Sequence, residues 1–174
     1  MKIAIVYFSR KGNNWVDGEV KYLPVGNTEL LAKEIQAHTH GDLFSLEMKE
    51  PYPEDYDACV EQARKDLLSD KTCDLISYPD LSSYDIIYLG YPIYWDDLPI
   101  AVSSYLKKQK LDQKIIHPFI THENSGLGIS ISHLRTLLPT CNITRPFPLP
   151  GSLVLSCKDM IERWIQGNET ADLK

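Results

Sequence analysis

The stretch Tyr84-Asp85-Ile86-Ile87-Tyr88-Leu89-Gly90-Tyr91-Pro92-Ile93-Tyr94-Trp95-Asp96 decides how the chain is organised. Its first seven residues are a short run rich in β-branched and aromatic side chains, the strongest strand signal in the sequence. Pro92 closes the run because it has no N–H to offer a ladder. The residues after it set two adjacent aromatics on a constrained turn. Continuous apolar strands are those covered on both faces, and they belong to parallel sheets that need crossover connections.

Similar units lie on either side. Ile3-Ala4-Ile5-Val6-Tyr7-Phe8 is a second continuous apolar run and reads as a central parallel strand. After a long loop, Thr28 precedes Glu29-Leu30-Leu31-Ala32-Lys33-Glu34-Ile35, where Leu31 and Ile35 lie one turn apart and Gly41 is a stop. Leu43 to Met48 reads as a strand, and Pro51-Tyr52-Pro53 breaks the chain. The next helix carries Tyr56, Cys59, Val60, Ala63 and Leu67 at helical spacing, a face to be buried.

Beyond the opening stretch, Pro99 suits the first turn of a helix through Leu106. Ile115 to Thr121 is a fourth strand, Ile129 to Leu138 a helix, and Ile143 to Phe147 a fifth strand. Ser156 with Asp159 predicts a capping box for a last helix whose apolar face is Met160, Ile161, Trp164 and Ile165. Five strand–helix units predict an α/β fold: a doubly wound five-stranded parallel sheet in the order 2-1-3-4-5, with helices on both faces. That order puts its switch point between the first and third strands, where a ligand sits beyond the carboxyl ends. The loops 9–28, 91–98 and 121–128 are therefore the site candidates.

The 174 residues are expected to form one domain spanning 1–174. The chain is 43% apolar and 24% charged, with 18 basic against 24 acidic side chains and a formal charge of −6. With no run of Lys or Arg, this balance argues against nucleic acid or a membrane surface as partner. The apolar run at the amino terminus is too short for a signal peptide, and nothing approaches a spanning segment, so cytoplasmic residence is expected without membrane insertion. Cys59, Cys73, Cys141 and Cys157 show no CxxC and no metal-like spacing to the histidines, which favours reduced structural thiols and no metal.

The first loop begins Ser9-Arg10-Lys11-Gly12 and ends Gly26-Asn27-Thr28 at a helix N-terminus. Hydroxyls, an amide and orphan N–H groups there suit a phosphate. Standing alone, the same residues are equally well read as a capped helix behind a glycine turn. There is neither GxxxxGK[ST] nor GxGxxG, which removes triphosphate and dinucleotide readings. A phosphoacceptor receiver domain shares the strand order but needs an acidic cluster, where this chain has Ser9-Arg10 and Pro92-Ile93. In the second loop Tyr94 and Trp95 offer a surface on which a flat conjugated ligand stacks, or simply pack over a helix end. The third loop, Thr121-His122-Glu123-Asn124-Ser125-Gly126-Leu127-Gly128, is small and polar.

Together these segments resemble the flavodoxin family. Val6-Tyr7-Phe8-Ser9 followed by Gly26-Asn27-Thr28 resembles its phosphate signature, divided here by an insertion. Gly90-Tyr91-Pro92-Ile93-Tyr94-Trp95 resembles its flavin-ring loop, and Pro51-Tyr52-Pro53-Glu54-Asp55-Tyr56 a segment of its bacterial flavodoxin-like branch. The resemblance implies FMN, with Ser9, Asn27 and Thr28 on the phosphate and Pro92, Ile93, Tyr94 and Trp95 around the isoalloxazine. It further implies Thr121, Ser125 and Gly126 near the ribityl chain or ring edge, and Arg10 and Lys11 beside the phosphate. The flavin then does the chemistry, and no side chain need be a nucleophile or general base.

Three departures stand out. Residues 13–25 are an insertion in which Trp15-Val16, Asp17-Gly18, Glu19-Val20 reads as a hairpin with a type I′ turn. It is expected to line the approach to the flavin, with Trp15 and Tyr22 shielding it or forming a partner surface. Asp96 stands where the family often has a glycine, whose peptide turns over as the redox state changes; aspartate makes a positive φ costlier, which sets this chain apart from the semiquinone stabilisation that the resemblance implies. His122, Glu123 and Asn124 replace a glycine-rich stretch; His122 reads either as a donor to the flavin or a substrate, or as a surface-loop residue. Asp96, Asp97 and Glu123 would lower the flavin's potential. Electron transfer with a redox partner protein is the leading expectation. The alternative is an NAD(P)H-dependent reductase passing electrons to a small acceptor such as a quinone or nitro compound, and a cofactor-free binding module comes third.

Overall fold

In a computed structural model of the chain, residues 1–69 and 71–172 are described. The elements run β1 (Ile3–Tyr7), β2 (Gly12–Val16), β3 (Glu19–Leu23), α1 (Asn27–Thr39), β4 (Asp42–Ser45), α2 (Tyr56–Leu68) and β5 (Ile86–Pro92). They continue with α3 (Ile100–Leu106), β6 (Ile115–His122), α4 (Ser130–Leu137), β7 (Asn142–Ile143), β8 (Phe147–Pro150) and α5 (Lys158–Asp172). The main sheet is parallel, ordered β4-β1-β5-β6, with β7 and β8 both paired to β6. This is the doubly wound arrangement that the strand pattern predicts, with the fifth position shared by two short pieces instead of one strand from Ile143 to Phe147. Pro146, which has no N–H to continue the ladder, lies in the gap between the two pieces, whereas Pro148 and Pro150 fall within β8 itself.

Alternation within the strands builds two cores. Ala4, Val6 and Phe8 of β1 and its extension, with Ile87, Leu89 and Tyr91, face the layer of α3 and α4. Ile5, Tyr7, Ile86 and Tyr88 face Leu31 and Ile35 of α1 and Ile161 and Ile165 of α5. Each strand is apolar on both sides because each side meets a helix.

Local signals differ from expectation at several ends. Helix α1 stops at His40 (φ 55), whose N–H donates to Gln36 O, and Gly41 follows it, crowded against Ile3. Asp55 caps α2 by accepting from Ala58 N–H at 2.9 Å. The Ser156–Asp159 capping box does not form: Ser156 Oγ donates to Leu153 O within a 3₁₀ turn, Gly151–Ser156, that precedes α5. Among the described residues no helix is long and apolar enough to cross a membrane.

Strands β2 and β3 form a separate antiparallel hairpin with Trp15 paired to Val20. Asp17 (φ 52) and Gly18 (φ 86) supply the two positive φ angles of a type I′ turn.

Candidate functional site

Parallel register brings three strand ends together. Tyr7 stands beside Gly90, and Pro92 beside Thr121, so the loops after β1, β5 and β6 leave the sheet side by side. A cleft of about 390 Å³ opens there. That is within the roughly 300–1,000 Å³ of small-molecule sites, and it lies beyond the carboxyl ends at the switch point between β1 and β5.

Ten of the twelve sequence-predicted residues line it: Ser9, Arg10, Asn27, Thr28, Pro92, Ile93, Tyr94, Trp95, Thr121 and Ser125. Lys11 and Gly126 do not; Lys11 points to solvent, and Gly126 sits at φ 64 in the turn beyond.

At one end of the cleft, β1 runs into the N-terminus of α1. Gly26 lies so close to β1's continuation that a Cβ there would sit 2.2 Å from Ser9 Oγ and 2.6 Å from Arg10 O. Ser9 Oγ accepts from Glu29 N–H at 3.1 Å. Neither Asn27 nor Thr28 caps the helix; Gly26 is the capping residue and has no side chain to do so. Thr28, 1% exposed, instead pairs its hydroxyl with that of Thr121 at 2.7 Å, joining α1 to the end of β6. Arg10 spends its guanidinium on carbonyls, donating to Pro53 O at 2.7 Å, Glu54 O at 2.8 Å and Asn13 O. It braces the hairpin base against the segment before α2.

At the other end, Tyr94, Trp95, Asp96 and Asp97 reverse the chain. Tyr94 N–H donates to Asp97 O and Asp97 N–H to Tyr94 O, both at 3.0 Å. Trp95 (φ 49) and Asp96 (φ 62) both take the left-handed conformation, at a cost of about 1–2 kcal/mol for each non-glycine residue. Aspartate therefore holds the positive φ that glycine would adopt freely. The Trp95 indole donates to Val60 O at 2.9 Å, and Arg64 lies 5.5 Å over its ring.

Sequence reasoning missed one wall entirely. Tyr56, Cys59, Val60 and Ala63 line the cleft, and none belongs to either sheet core. The apolar stripe of α2 was legible, but periodicity marks a face without saying what it meets. Burial pushes the Cys59 thiol up, against the pull of the Arg10 charge and a hydrogen bond with Tyr94. The hairpin contributes Asn14, Trp15 and Leu23, with Trp15 stacked on Tyr56 at 5.9 Å and 29°. Tyr22 does not join it and faces solvent.

His122, Glu123 and Asp96 complete the lining. His122 Nδ1 and Glu123 Oε1 are buried without a hydrogen-bond partner. Burial pulls the imidazole below its usual range. Burial also raises the Glu123 carboxyl, against the backbone N–H groups of Asp17 and Gly151 beside it. Orphaned polar atoms of this kind fit a ligand that both donates and accepts hydrogen bonds. Asp97, expected to add negative charge here, is instead buried behind the turn and paired with His133. Among the described residues no cluster of His, Cys, Asp or Glu is arranged to hold a metal, and all four cysteines are free thiols.

Known structures share this architecture. A candidate flavoprotein of Bacteroides uniformis superposes with a TM-score of 0.75 at 21% identity, over 95% of this chain and 97% of that one. A Lactobacillus acidophilus flavoprotein in complex with FMN gives 0.62 at 18% identity, over 84% of this chain and 92% of that one. Oxidised flavodoxin 2 from Bacillus cereus gives 0.52 at 17%, over 96% and 99%. No curated protein matches the sequence. A family model described as Flavodoxin matches residues 20–168, six-sevenths of the chain, on top of the shared sheet and the strand-end cleft, and the chain belongs to the flavodoxin family.

Proposed function

We propose that the chain binds one FMN in the strand-end cleft and transfers electrons through it. The observation that carries this reading is the cleft itself, which joins a helix N-terminus to an aromatic turn on a chain of the flavodoxin family. The L. acidophilus neighbour with FMN supports the choice of cofactor. When bound, the flavin supplies the acceptance and donation of one or two electrons.

The chain's own residues bind and orient. The Asn27 side chain and the N–H groups of Asn27 and Thr28 at the start of α1 would hold the phosphate, the Glu29 N–H being given to Ser9 Oγ, helped by the helix dipole rather than by a cation, since Arg10 is already committed. The Thr28 hydroxyl is spent on Thr121, so Thr28 serves through its backbone. Tyr94 and Trp95 flank the ring, and Thr121, Ser125, His122 and Glu123 meet the polar edge or the ribityl chain. On this reading no side chain need act as a nucleophile.

Electron transfer to a protein partner needs an open ring edge. The hairpin favours a second reading, an NAD(P)H-dependent reductase of quinones or nitro compounds, because Trp15 and Leu23 add a wall that turns an open groove toward a small-molecule cleft. One experiment tests both. The purified protein is titrated with FMN and read by visible absorption, then mixed anaerobically with NADPH. Yellow protein bleached rapidly supports the reductase; yellow protein reduced by dithionite alone supports the carrier. A protein that refuses FMN overturns both.

A further inference from the structure

The left-handed pair Trp95–Asp96 needs something to hold it, and the answer lies outside the cleft. Asp97 is 4% exposed, and its carboxylate accepts from Leu98 N–H at 2.7 Å. Both carboxylate oxygens also lie within hydrogen-bond distance of His133 Nδ1, at 2.9 and 3.0 Å. His133 sits one turn into α4, so this contact ties the turn to a helix anchored in the core through Ile131 and Leu134. A second tie is backbone: Ile129 N–H donates to Asp96 O at 2.7 Å. Close approach there depends on Gly128, where a Cβ would lie 2.1 Å from Asp96 O.

Neither Asp97 nor His133 lines the main cleft. Both line a smaller one of about 180 Å³ on the far side of Tyr94. They reach a ligand only through the turn, whose outer residues Trp95 and Asp96 do face the main cleft. A turn with non-glycine residues at both central positions relaxes unless its closing residue is pinned.

We propose that Asp97 and His133 are positioning residues that pin the ring-side turn, so that the Trp95 indole and the 95–96 peptide are preset for the flavin before it binds. The inference rests on the FMN reading above. Preorganisation of this kind shows in affinity and in the asymmetry imposed on the bound ring, because an unpinned turn must be ordered on binding.

The test compares His133→Leu, which removes the donor, with His133→Asn, whose amide nitrogen stands near the place of Nδ1. The readouts are FMN affinity by fluorescence quenching, visible circular dichroism of the bound flavin, and melting of the apoprotein. His133→Leu is expected to weaken FMN about tenfold and flatten the visible dichroism, while His133→Asn keeps both within about twofold. A double-mutant cycle keeps the proposal open to refutation should His133→Leu melt low. In an Asp96→Gly background, glycine takes the left-handed conformation without help, and the loss from His133→Leu should shrink to about threefold or less. Undiminished loss in that background, equal loss for the Asn and Leu variants, or wild-type affinity and dichroism in His133→Leu would each overturn the positioning role alone. A wild-type chain that takes up no FMN overturns it together with the FMN reading.

Discussion

The floor of the cleft and the hairpin that walls it are built on opposite principles. The floor consists of strand ends whose apolar side chains continue into two cores: Tyr91 is fully buried, and Gly90 makes room for the Phe119 ring. The hairpin pairs only with itself, and its Val20 and Tyr22 are 46% and 62% exposed. Two-stranded hairpins are marginal alone. This one is held by the Trp15–Tyr56 stack and by Arg10 at its base. Changes in the floor should therefore unfold the protein, whereas changes in the wall should alter what the cleft holds and leave the fold intact.

The sharpest way to break that contrast is Gly90→Val. A Cβ at Gly90 would lie 2.1 Å from Phe119 Cζ, a fully buried ring. Overpacking of this kind should cost about 3 kcal/mol, read as a lowered urea midpoint. A variant as stable as the parent would show that the floor yields as easily as the wall. Next is Thr28→Val, which strands the buried Thr121 hydroxyl. It should cost about 2 kcal/mol, while FMN affinity changes little because Thr28 serves through its backbone. A large loss of affinity at unchanged stability would put the hydroxyl on the ligand instead.

In the wall, Trp15→Ala should cost only about 1 kcal/mol of stability, the scale of one aromatic pair. Its larger effect should be several-fold weaker FMN binding, measured by fluorescence titration. Unchanged affinity would reduce the hairpin to decoration.

The smallest effect is expected from Glu123→Gln. Burial raises the Glu123 carboxyl in the folded chain, so its contribution is fully present below the unfolded value and is lost as pH rises through the folded one. The amide should raise Tm by no more than about 2 °C at pH 7 and leave it unchanged near pH 4. A destabilised variant at pH 7 would mean that the carboxylate is needed to hold the hairpin tip.

Local pattern sufficed where the physics was local. The runs at Ile3–Phe8 and Ile86–Tyr91 showed strands covered on both faces, Asp17-Gly18 showed a type I′ turn, and parallel strands implied crossovers and a strand-end site. The resemblance of those loops to the flavodoxin family then marked ten of the residues that line the cleft. Other features depend on partners that are distant in the chain. Thr28 lost its hydroxyl to Thr121, 93 positions away, and Asp97 left the cleft for His133, 36 positions away. The stripe on α2 became a wall of the cleft, with Tyr56 stacked on Trp15 and the Val60 carbonyl beside it accepting from the Trp95 indole. Periodicity states which side chains share a face, and only packing states what that face touches. The sequence by itself determined the sheet, its order and the end at which the cleft opens; the tertiary structure decided which polar groups there remain available, because each is claimed or left by neighbours that the chain brings back from far along its length.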